Sequence, residues 1–127
     1  MIFRKTYDFI IKDTTKNDSL LVVPEGQIFN FITERKYDFY NTTFTPLDFE
    51  TFGEEKLIND LKNNKTKYII LYPRNTIDYG SATICYDYGE NFCLYIADNY
   101  ERIKIIEDKY KVLIFKLRKW WKKKQLA

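Results

Sequence analysis

The chain has no histidine and only two cysteines, Cys85 and Cys93, among its 127 residues. That inventory excludes a Cys/His zinc site and every triad that needs a histidine base. Glycine is scarce too: Gly26, Gly53, Gly80 and Gly89 form neither a G-x-G-x-x-G turn nor a Walker loop, so no glycine-rich phosphate cradle is expected. The longest apolar run, FCLYIA at 92–97, is far short of the roughly 18 residues that cross a bilayer. The N-terminus MIFRKTYDFIIKD threads charges through its apolar residues and has no small-residue cleavage site. It does not read as a secretory signal, and export would need a signal outside these residues.

What is present is a chain of 45% hydrophobic and 18% aromatic residues, enough for one compact α/β domain over residues 1–117 with a basic tail at 118–127. The formal charge of +3 belongs to that tail, because RKWWKKKQLA holds five of the 21 basic side chains and no acid. The remaining 16 basic residues face 18 acidic ones. A mildly acidic body argues against a nucleic-acid partner. Two readings of the tail stand: Trp120 and Trp121 between basic clusters suit an anionic membrane surface, or the end is solvated with a tryptophan folded back on the domain. Cys85 and Cys93 read as two half-buried thiols, because Cys93 falls on an apolar helical stripe; a disulfide is the alternative.

Periodicity places a helix over 3–12 with Phe3, Tyr7, Ile10 and Ile11 inward, then the strand LLVV. A short helix in QIFNFITER is expected to bury Ile28, Phe29 and Ile32. KYDFYNTTFTPLDFE reads as a long loop held by its own aromatics. Thr51 with Glu54, and Asp87 with Glu90, have capping-box spacing ahead of helices at 53–64 and from about 90 to 100. KYIILY reads as a buried strand between those helices, and RIKIIEDKYKVLIFKLR as a hairpin turning near Glu107 to Lys109. The expected fold is a three-layer α/β sandwich with a mostly parallel sheet of about four strands, the last antiparallel.

Two loops share one design: LLVV is followed by Pro24, Glu25 and Gly26, and YIILY by Pro73, Arg74, Asn75 and Thr76. In open α/β sheets ligands bind where parallel strands end. One reading is a small polar pocket built from Glu25, Asn30, Arg74 and Asn75, with Asp78 and Tyr79 beside it. The other is an internal Glu25–Arg74 salt bridge that pins the loops. Asp78 and Asp87 sit in D-Y-G units that also form turns, and no catalytic centre, metal or cofactor is expected in this chain.

Taken together, LLVVPEGQIFNFITER, FGEEKLINDLKNNKTKYIILYPRNTIDYG, DYGENFCLYIADNYERIKII and the closing strand resemble the soluble C-terminal region of bacterial polytopic membrane glycosyltransferases. These are related to dolichyl-phosphate-mannose protein mannosyltransferases. The resemblance implies a parent protein whose transmembrane part binds a polyprenyl-phosphate sugar donor and carries the catalytic acid in an early outer loop. It also implies that this domain lies on the extracytoplasmic face and is non-catalytic, assisting the glycan acceptor or packing on the membrane part. The matching positions are Glu25, Gly26, Asn30 and Arg35 in the first half, and Arg74, Asn75, Tyr79, Gly80, Asp87 and Gly89 in the second. Outside that resemblance, the chain reads as a free-standing, cytoplasmic binding module for a sugar or polar metabolite, with Tyr40 and Tyr79 stacking on it, or as a structural interaction domain.

Overall fold

The computed structural model of the chain describes residues 1–72, 83–108 and 110–119. In chain order it holds α1 (Ile2–Asp13), β1 (Leu20–Val23), α2 (Gln27–Thr33), α3 (Pro46–Phe52), α4 (Glu54–Asn64), β2 (Tyr68–Leu71), α5 (Glu90–Asn99), β3 (Tyr100–Glu107) and β4 (Lys111–Leu117). The α/β class and the sequence of helices and strands agree with the periodicity.

The strands form one mixed sheet in the order β1, β2, β4, β3. β1 and β2 pair in parallel, Leu20 opposite Tyr68 and Val23 opposite Leu71, and β4 is antiparallel to both β2 and β3. The expectation of a mostly parallel sheet is therefore corrected, since two of three ladders are antiparallel. The hairpin folds back so that β4 enters between β2 and β3, two strands that run the same way. Composition explains the choice: KVLIFKL buries Val112 and Ile114 in the centre, whereas YERIKIIE is charged and mostly exposed at the edge.

Alternation along the strands divides the core into two clusters. Leu21, Val23 and Ile69 pack with Phe49 of α3, Leu57 and Leu61 of α4, and Phe92 and Ile96 of α5. Leu20, Val22, Ile70 and Ile114 pack with Phe9 and Ile10 of α1 and Phe29 of α2. β3 serves both clusters, Tyr100 in the first and Ile106 in the second, although their positions differ by an even number and regular alternation would put them on one face. A bulge between Arg102 and Lys104 inserts Ile103 and reverses the alternation.

Several local expectations are corrected. The long loop ends at Pro46, where Thr45 and Asp48 make a reciprocal capping box and start α3. Thr51 then lies inside α3, and Gly53 precedes α4 with no side-chain cap. Glu54 instead reaches the neighbouring helix: its carboxylate accepts the Phe92 N–H at 3.1 Å and the Asn91 amide at 3.2 Å. Asp87 does not cap α5; it accepts the Thr83 N–H at 2.7 Å, and Gly89, with φ 71, precedes the helix. A side chain at Gly89 would also meet the Phe49 ring at 3.2 Å. That turn brings the Cα atoms of Cys85 and Cys93 to 5.6 Å, and the two form a disulfide rather than separate thiols.

Candidate functional site

Val23 pairs with Leu71 and the Tyr72 N–H donates to the Val23 carbonyl at 2.9 Å, so β1 and β2 are neighbours at the end where the Pro24-Glu25-Gly26 turn begins. Arg74, Asn75, Asp78, Tyr79 and Gly80 lie outside the described residues, as do Trp120 and Trp121. Glu25 is half-buried at the turn. Gly26 is fixed by packing, since a Cβ there would lie 2.2 Å from the Val22 side chain.

Asn30 and Arg35 face the interior. The Asn30 amide donates to the Leu20 carbonyl at 2.7 Å and the Lys36 carbonyl at 3.0 Å, tying α2 to β1 and to the chain that follows it. Its buried Oδ1 has no hydrogen-bond partner among the described residues. Arg35 is 7% exposed and donates to the carbonyls of Ile10 at 3.0 Å, Thr14 at 2.9 Å and Thr33 at 2.6 Å, and to the Thr14 hydroxyl at 2.9 Å. Carbonyls at the ends of α1 and α2 lack helical partners, and a guanidinium satisfies them with the charge sign that a helix C-terminus favours. The structure therefore gives Arg35 a fastening position between two helices. Asp87 lies in the exposed turn described above, and Tyr40 is 89% exposed.

The same orientation that turns Phe29, Asn30 and Thr33 inward turns Ile28, Phe31 and Ile32 outward, so the expected burial of Ile28 and Ile32 is corrected. Phe31 is 81% exposed and Ile28 53%. No residue of α2 is ionisable. An open hollow of about 550 Å³ lies on one side, lined by Gln27, Ile28, Phe31 and Tyr37, with Asn30 and Arg35 at its base. A second hollow of about 480 Å³ lies on the other, lined by Met1, Phe3, Tyr7, Arg4 and Ile32. Burial, and then the charge of Asp48, push the Tyr37 hydroxyl up to about 12, so it stays protonated near neutrality and donates to the Asn41 carbonyl. The ridge was present in the sequence as a second apolar stripe at i, i+3 and i+4, opposite the one containing Asn30 and Thr33.

Among the described residues no group of three or more His, Cys, Asp or Glu side chains is placed to hold a metal. None of the described helices is long and apolar enough to cross a membrane. No family model, curated protein or solved structure matches the chain.

Proposed function

We propose that the chain is a non-catalytic interaction domain on the extracytoplasmic side of a larger membrane protein, and that the parent is a sugar transferase using a polyprenyl-phosphate donor. The observation that carries this reading is the uncharged ridge of Ile28, Phe31 and Ile32 between two hollows. An apolar helix face so exposed is suited to a protein surface of like character, here the membrane part of the parent. The Cys85–Cys93 bond favours an oxidising compartment. The choice of a transferase as parent rests on the sequence resemblance, and so does the three-layer arrangement that the two core clusters favour.

A free-standing small-ligand module is the weaker reading. It would take its ligand in a cleft between Glu25 and Arg74, whereas two of its described candidates, Asn30 and Arg35, have donors engaged by carbonyls within the fold. Fractionation of the source cells with an antibody to this domain decides between them. The expected product is membrane-bound and several times larger than 15.4 kDa. A soluble product of about that mass would overturn the proposal and make the hollow beside Asn30 the next object of study.

A further inference from the structure

A buried polar atom without a hydrogen-bond partner is uncommon in a folded chain, and each one calls for an explanation. Asn30 carries such an atom. The residue is 4% exposed, it lines the hollow on the Tyr37 side of the ridge, and its Oδ1 accepts nothing among the described residues. Turning the amide over does not relieve this. Its Nδ2 donates to the Leu20 and Lys36 carbonyls at 2.7 and 3.0 Å, and exchanging the two atoms would set oxygen against oxygen. The acceptor is therefore fixed in place, shielded from bulk water, and without a donor.

The other lining groups narrow what can supply that donor. Gln27, Ile28, Phe31, Arg35 and Tyr37 include no acid, and the Arg35 guanidinium at the base disfavours an incoming ammonium group. An anion would need donors, and those of Arg35 are directed at the carbonyls of Ile10, Thr14 and Thr33 and at the Thr14 hydroxyl. The Tyr37 hydroxyl likewise donates to the Asn41 carbonyl, so Tyr37 offers the hollow its ring. With Ile28 and Phe31 that ring makes apolar walls around one unused acceptor, and only the exposed Gln27 adds polarity. A sugar would leave most of its hydroxyls against those walls. The chemistry that fits is a flat apolar body with a single neutral donor at its tip. Among side chains that is the phenol of tyrosine, whereas indole carries its N–H on the flank of the ring.

We propose that this hollow is a socket for a tyrosine side chain of the protein surface that covers the ridge, with the phenol O–H donating to Asn30 Oδ1 and the ring lying against Ile28, Phe31 and Tyr37. The inference rests on the reading of the ridge as an interaction surface, and it names a residue that the partner supplies. Ridge and socket are continuous, because Ile28 and Phe31 belong to both, and α2 brings no ionisable group that would have to be desolvated there. A buried aromatic anchor in a pocket is also the arrangement that concentrates binding energy at protein interfaces.

The probes are p-cresol, which has the ring and hydroxyl of the tyrosine side chain, and p-methylanisole, which has the same ring without the donor. The full chain, isotope-labelled, is titrated with each, and the Asn30 side-chain amide and the backbone amides of Ile28, Phe31 and Tyr37 are followed by NMR. p-Cresol is expected to move these signals and to bind about fivefold tighter than p-methylanisole. Ile28→Ser alters an exposed wall, so it should keep the dispersion of the spectrum while weakening p-cresol about threefold. Equal affinity for the two probes would overturn the bond to Asn30, and no shift at these residues would overturn the socket. Tighter binding of methyl glucoside than of p-cresol would overturn the tyrosine in favour of a sugar. A dimer in sedimentation equilibrium that p-cresol dissociates would overturn the separate partner and assign the tyrosine to a second copy of the chain. Phe31→Ser and its effect on association with the membrane fraction test the ridge itself, so a failed socket with that effect intact leaves the interaction surface standing.

Discussion

The two clusters of the core are closed by different means. In the cluster that includes α3, α4 and α5, the rings of Phe39, Phe44, Phe49 and Phe92 interlock at centroid distances of 5.4 to 6.2 Å, and a disulfide fixes the approach to α5. In the cluster that includes α1 and α2, the apolar core is smaller and the helices are fastened by polar side chains, Arg35 at their C-terminal ends and Asn30 against β1. Polar fastening needs little apolar surface. It leaves α2 free to carry apolar residues outward, where the aromatic cluster has spent its own inward. The contrast teaches that the exposed ridge is a property of how its helix is anchored.

The contrast can be tested by substitution. Phe44→Ala, at a fully buried ring that meets three others, should destabilise the fold by about 4 kcal/mol in denaturant unfolding. Arg35→Leu leaves the carbonyls of Ile10, Thr14 and Thr33 without their donor and should cost about 3 kcal/mol. A loss below about 1 kcal/mol would mean that polar fastening is incidental. Replacing both Cys85 and Cys93 by Ser should cost roughly 2–3 kcal/mol, because the closed loop is short. The smallest effect on stability is expected at the ridge: Phe31→Ser should stay within about 0.5 kcal/mol, while association with the parent membrane fraction falls. If Phe31→Ser instead unfolds the domain, the ridge belongs to the core.

Much of this architecture was legible in the sequence because period and length are local properties. The stripe of Phe92, Cys93 and Ile96 and the hairpin between β3 and β4 needed no knowledge of the rest of the chain. Strand order was not legible from local period, since it rests on the long-range pairing of β2 with β4, although the more apolar composition of β4 agrees with its central place. Nor was the inward turn of Asn30 and Arg35: polar residues beside a loop suggest a site, and only tertiary contacts show that Arg35 answers helix-end carbonyls and Asn30 those of Leu20 and Lys36. The capping boxes failed for a related reason. Thr51 and Glu54 have the right spacing, but Pro46 had already begun a helix upstream, and Glu54 found its acceptor role across space at Phe92. The disulfide likewise waited on the turn at 83–89, which spacing alone does not specify.

The bulge in β3 has a consequence for length variation. A strand tolerates gain or loss of one residue poorly, because every side chain beyond the change exchanges faces. Tyr100 and Ile106 occupy opposite faces only because Ile103 is surplus to the ladder, with Arg102 opposite Phe115 and Lys104 opposite Ile114. Deleting Ile103 restores a regular register and leaves Arg102, Lys104 and Ile106 opposite their present partners, whereas deleting Ile105 either keeps the bulge and turns Ile106 to the other face or closes it and turns Lys104 there. A single-residue deletion scan read by thermal denaturation should therefore find its tolerant position in β3 at Ile103, and that position is where related chains would be free to differ in length.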